Sequence, residues 1–202
     1  MYMRLKRTVR SETVINKSRF ITCARPVHTE EEARAFIAEI RKEFPDSTHV
    51  CTAYVLSDRD IQRSSDNGEP AGTAGIPILE VIRHAGLTDT CVAVVRYFGG
   101  IKLGTGGLAR AYGGCTQTLL NESPKVEDKE VTVYSVTYPY SLSGVLEGWI
   151  RREYEVVDFF YEDNVTCLFA SDDPSVPTQI QNLSKGSVTA IEVRRELRET
   201  DV

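Results

Sequence analysis

Apolar and polar positions change their period several times along the chain, and each change marks an element. Residues 8–15 and 19–24 read as two β segments joined by Asn16-Lys17-Ser18. A helix follows. Thr29 with Glu32 three residues on makes a capping box, Ala33, Phe36, Ile37, Ile40 and Phe44 form one apolar stripe, and Pro45 follows its end. Residues 50–56 are small and β-branched, a strand. Residues 57–75 are polar and rich in turn residues, too long for a plain connector. Pro77 opens a second helix that stops at Gly86. Residues 90–97 are a buried type of strand, and residues 99–107 a glycine-rich loop. Thr105 is placed to cap a third helix carrying Leu108, Ala111, Cys115 and Leu119.

The rest of the chain reads β-α-β-β-α-β. Residues 131–138 are a strand, and Leu142, Leu146, Trp149 and Ile150 make a helix stripe that places Trp149 in the core. Residues 156–161 and 165–169 are strands joined by Glu162-Asp163-Asn164. Asp173 and Pro174 start a helix bearing Val176, Ile180 and Leu183, which Gly186 ends. Residues 188–193 are the last strand. That order is the ferredoxin-like plan.

Charge separates the same two parts. Residues 1–125 hold 17 Lys+Arg against 14 Asp+Glu, a net of +3, and residues 126–202 hold 7 against 15, a net of −8. Asn121-Glu122-Ser123-Pro124-Lys125 reads as a linker between them. With 202 residues, 41% of them hydrophobic and 26% charged, the composition is that of a globular protein, not a disordered, fibrous or membrane one. Apolar runs such as Cys91-Val92-Ala93-Val94-Val95 fall far short of the ~20 residues that span a bilayer. The basic start, Met1 to Arg7, has no apolar stretch behind it, so no signal peptide is expected. Five cysteines, none in a C-x-x-C pair, suit a reduced, cytoplasmic protein. The overall acidic charge disfavours general nucleic-acid binding, which leaves the mildly basic first part as the place for any such contact; no DNA binding and no membrane contact are expected.

Two loops carry the candidate chemistry. Ser64-Ser65-Asp66-Asn67-Gly68-Glu69-Pro70-Ala71-Gly72-Thr73-Ala74-Gly75 sets two carboxylates, hydroxyls and glycines directly before a helix. It reads either as a surface loop with a helix cap or as a ligand-facing loop. Arg96-Tyr97-Phe98-Gly99-Gly100-Ile101-Lys102-Leu103-Gly104-Thr105-Gly106-Gly107-Leu108-Ala109-Arg110 runs from a strand into a helix start. Free N–H groups there attract anions, and Arg96, Lys102 and Arg110 add charge; the bland alternative is turns and tight packing. The candidate ligand contacts are Ser65, Asp66, Gly68, Glu69, Gly72 and Thr73 in the first loop. In the second they are Arg96, Tyr97, Gly99, Gly100, Lys102, Gly104, Thr105, Gly106, Gly107 and Arg110. No G-x-x-x-x-G-K-[ST] is present, and the G-x-G-x-x-A match at 104–109 lacks the acidic strand end of a dinucleotide fold. His28, His49 and His84 are scattered, which argues against a metal site, and no serine or cysteine has a nucleophile setting. No catalytic residue is assigned, and no cofactor is expected.

These loops also carry a resemblance. Residues 65–75, then Val94-Val95-Arg96-Tyr97-Phe98-Gly99-Gly100 and Leu103-Gly104-Thr105-Gly106-Gly107-Leu108, with Lys17-Ser18-Arg19-Phe20 ahead of them, resemble the YigZ/Impact family over residues 17–115. The resemblance implies an α+β protein of two domains. Residues 1–125 are expected to be an Impact-like, ribosomal-protein-like α/β two-layer domain, and residues 126–202 a ferredoxin-like one. Eukaryotic Impact proteins regulate translation by competing for the activator of a starvation-responsive initiation-factor kinase. The resemblance therefore implies a non-catalytic binding protein linked to translation, whose partner is RNA, the ribosome or a translation-associated protein. Two alternatives stand beside it: an enzyme acting on a phosphorylated small molecule, with Asp66 or Glu69 as base, and a purely protein-binding regulator.

Overall fold

The computed structural model describes residues 3–57 and 61–202; residues 58–60 of the polar segment and the first two residues of the basic start lie outside the described residues. The chain divides into two compact units. One runs to Glu127 and takes in Asp201–Val202, and the other is Asp128–Thr200.

In the first unit β2 (Val9–Ile15), β3 (Ser18–Pro26), β4 (His49–Val55), β5 (Gln62–Ser65) and β6 (Thr90–Tyr97) form an antiparallel sheet in the order β2-β3-β6-β4-β5. Strand β6 lies at its centre. Its Val92 and Val94 pack with Phe20, Ala24 and Ala53 against α2 (Gly75–His84) and α3 (Gly104–Glu122). Its Cys91, Ala93 and Val95 pack with Ile21, Cys23 and Tyr54 against Ala33, Phe36 and Ile40 of α1 (Glu30–Glu43). The sheet is thus the middle of three layers, a correction to the expected two. The cause is that alternate residues of β3, β4 and β6 are apolar on both faces, and each fully buried valine adds about 1.5–3 kcal/mol.

The α1 cap is as read: Thr29 Oγ1 accepts from the Glu32 N–H at 3.2 Å, while Glu32 Oε2 accepts from the His28 N–H at 2.7 Å. Four other readings change. The polar segment contains β5, whose side chains are all exposed. Helix α2 begins at Gly75, two residues before Pro77. Thr105 lies inside the first turn of α3 and does not cap it; Leu103 precedes the helix with no side-chain cap. The stretch read as a linker is taken up by structure. Helix α3 runs to Glu122, Ser123 Oγ donates to the Leu119 carbonyl at 2.6 Å, and β7 (Lys125–Tyr138) starts six residues earlier than expected. Its first three residues pair with β1 (Met3–Leu5), a strand that pattern alone does not show.

The second unit follows β7 with α4 (Ser143–Glu153), β8 (Glu155–Tyr161), β9 (Val165–Ser171), α5 (Val176–Leu183) and β10 (Ala190–Asp201). The sheet order β10-β7-β9-β8 with two helices is the ferredoxin-like plan. Its core joins Val136, Tyr138, Cys167 and Phe169 to Leu146 and Ile150 of α4 and Val176 and Ile180 of α5. Trp149 is only partly buried, at the margin of that core. Helix α5 begins three residues after Asp173, whose carboxylate accepts instead from the Ser175 N–H and Gln179 Nε2. The two units together make an α+β fold. All five cysteines are free and buried, and burial pushes the thiols of Cys51, Cys91 and Cys167 up to about 12. Among the described residues no helix is long and apolar enough to cross a membrane.

Candidate functional site

Alternation along β6 sends Arg96 to the same face as Val92 and Val94, into the core beneath α3. A guanidinium buried there must be paired. Only 4% of Arg96 is exposed, and its Nη1 donates to Glu69 Oε1 at 2.6 Å. Tyr112 of α3 donates to the same oxygen at 2.8 Å. Arg96 Nη2 donates to Ser18 Oγ at 3.3 Å, and Ser18 Oγ also accepts from the Gly99 N–H. The guanidinium lies 5.6 Å from the Phe20 ring centre and 5.5 Å from that of Phe98. Burial, with Cys51 and Glu69 beside it, pushes the Tyr112 phenol far up, so it remains a donor at any working pH.

This network floors a cleft of about 350 Å³ lined by Glu69, Pro70, Phe98, Lys102, Gly104 and Thr105, among others. Phe98 is 48% exposed, Lys102 is exposed two residues ahead of α3, and Gly104 and Thr105 are exposed in its first turn. The cleft therefore sets an aromatic face, an ammonium and the free N–H groups of a helix start around a fixed floor. Arg96 brings no net charge to it, because Glu69 neutralises it. That corrects the reading of Arg96 as a free phosphate ligand.

The remaining candidate residues divide. Gly107 and Arg110 line a neighbouring cleft of about 280 Å³ with Ile15, Asn16 and Leu103. Tyr97 points to the opposite face of the sheet, packs near the α1 core and stacks on Arg19. Asp66 supports the loop. Its carboxylate accepts from the N–H groups of Gly72 (2.8 Å), Ala74 (3.0 Å) and Gly75 (2.8 Å), the last two at the start of α2. Burial works against its charge, but these three donors outweigh it and hold the carboxyl below the usual aspartate range. Thr73 donates to the Pro70 carbonyl, Ser65 is paired in β5 opposite Thr52, and Gly68 sits against His49. At Gly99 a Cβ would stand 2.0 Å from the backbone of Lys17, so this glycine lets the β2–β3 turn pack on the loop. Gly100 and Gly106 are exposed. Ser18, Phe20, His49, Phe98 and Tyr112 complete the site beyond the residues that sequence marks as ligand contacts. Ser18, Phe20 and Phe98 lie in the segments that carry the family resemblance, and Tyr112 is a phenol on the buried face of α3 that needs a partner. Among the described residues no three or more His, Cys, Asp or Glu are grouped to hold a metal ion.

Known proteins match this site and its surroundings. The Impact N-terminal domain matches residues 16–120, from the β2–β3 turn through most of α3. IMPACT family member YvyE of Bacillus subtilis is 44% identical over 81% of this chain and 76% of its own length. IMPACT family member YigZ of Escherichia coli is 42% identical over 89% of this chain and 91% of its own. A crystal structure described as that of a hypothetical protein is 32% identical, covers 96% of this chain and 97% of its own, and superposes with a TM-score of 0.61. With identities of this size spread over nearly the whole length, the chain belongs to the IMPACT family.

Proposed function

We propose that this protein is a non-catalytic, cytosolic binding protein linked to translation, and that it engages single-stranded RNA through the Phe98–Lys102 cleft. The translation link follows from the family's eukaryotic members. The observation that supports the RNA reading is the exposed Phe98 ring beside Lys102 and the first turn of α3, over a floor rigidified by Glu69, Arg96 and Tyr112. Bases stack on aromatic rings whatever their sequence, and phosphates seek ammonium groups and helix starts.

Lys102 and Arg110 together neutralise about two phosphates, which gives a log–log salt slope of roughly −1.4 for a single strand. The test is a titration of short single-stranded RNA at several salt concentrations. Phe98→Ala is expected to weaken binding by about 1–3 kcal/mol at every salt, and Lys102→Ala to make the slope shallower by about 0.7. Unchanged affinity in both variants, each still folded, removes the cleft from RNA binding and favours a protein partner.

A further inference from the structure

Glu69 has a buried carboxylate that RNA binding by stacking and charge leaves unused. Its side chain is 4% exposed, and both protein donors, Arg96 Nη1 and Tyr112 Oη, go to Oε1. Oε2 receives no hydrogen bond among the described residues, and His49 Nε2 lies 3.9 Å from it. His49 Nδ1 lies 2.9 Å from the Asn67 carbonyl, which can only accept, so Nδ1 carries a proton. In neutral His49 the nitrogen turned toward Glu69 therefore carries no proton to give to Oε2. Glu69 lines the same cleft as Phe98. A flat ring held against Phe98 thus shares the cleft with the Glu69 carboxylate, whose Oε2 is free to accept a hydrogen bond.

We propose that Glu69 reads the base, its Oε2 accepting from the exocyclic amino group of adenine, cytosine or guanine and rejecting uracil. This rests on the RNA reading above. Uracil offers only N3–H there, flanked by two carbonyl oxygens that face the carboxylate unfavourably. The same chemistry is carried by a base in a strand and by a free nucleotide.

The test uses the full chain at one fixed pH and salt concentration. Short oligonucleotides of A, C, U and N6,N6-dimethyladenine are titrated, alongside AMP, CMP and UMP. A and C are expected to bind about tenfold more tightly than U, and A about tenfold more tightly than its dimethyl form, which stacks but has no amino proton to donate. That preference in either series supports the proposal, and the series that shows it names the source. Equal binding of all four oligonucleotides overturns base reading and leaves RNA binding standing; binding of none overturns both. Glu69→Gln keeps an oxygen for Arg96 and Tyr112 and turns an amide N–H₂ to the cleft. In a variant that melts like the wild type, the preference should swing toward U, and an unchanged preference sinks the proposal. The ligand series decides alone if that variant does not fold.

Discussion

Asp66 and Glu69 stand three residues apart in one polar loop and do opposite things. Asp66 satisfies three backbone donors and binds the loop to the start of α2. Removing it leaves those N–H groups without their acceptor. Asp66→Ala is expected to lower stability by about 2–3 kcal/mol in urea unfolding at pH 7, and a loss under about 0.5 kcal/mol would show that water serves those donors equally well. Because the folded carboxyl lies below the ordinary value of about 3.9, its contribution is complete above that pH and disappears as pH falls through the folded value. Asp66→Asn should therefore show a flatter acid limb than the wild type. Sequence left capping and ligand contact both open for Asp66, because its partners are six to nine residues on, outside ordinary cap spacing. Glu69 gave still less warning. Its partners, 27 and 43 residues away, meet it only once the sheet and α3 are formed.

Elements were legible in proportion to the apolar surface they bury. Helix α1 has a stripe and a capping box, and β6 an unbroken apolar run, so both appear at nearly the expected bounds. Strand β5 pairs with β4 and has no buried side chain to give it a period, and β1 has only three residues whose partners lie about 120 positions away. The glycine-rich loop held structure that composition could not rank. Gly99→Ala would drive a methyl group into the Lys17 backbone and is expected to cost about 3 kcal/mol or more. Gly100→Ala meets open space but keeps a φ of +84°, costing about 1–2 kcal/mol. Thermal melts of the pair check this order; equal losses would mean that the turn yields to the added methyl.

At the scale of the molecule, charge and the β-α-β-β-α-β order announced two parts, and the pattern missed how the first one ends. Val126 is 1% exposed and pairs with Arg4, and the Val202 N–H donates to the Lys125 carbonyl. A fragment of residues 1–127 is expected to melt cooperatively, and one of residues 1–125 to be less stable by about 2 kcal/mol, the worth of one buried valine. Coincident melts for the two fragments would place the edge of the first unit before Val126. The cysteines carry a different consequence. Cys23, Cys51, Cys91 and Cys115 lie in the first unit and Cys167 in the second, all buried, with burial raising every thiol's pKa. A closed chain is thus nearly inert to alkylating reagents, and each sulfur reacts only while its surroundings are open. The unaltered protein therefore carries its own stopwatch for conformational opening, with four hands on one unit and one on the other.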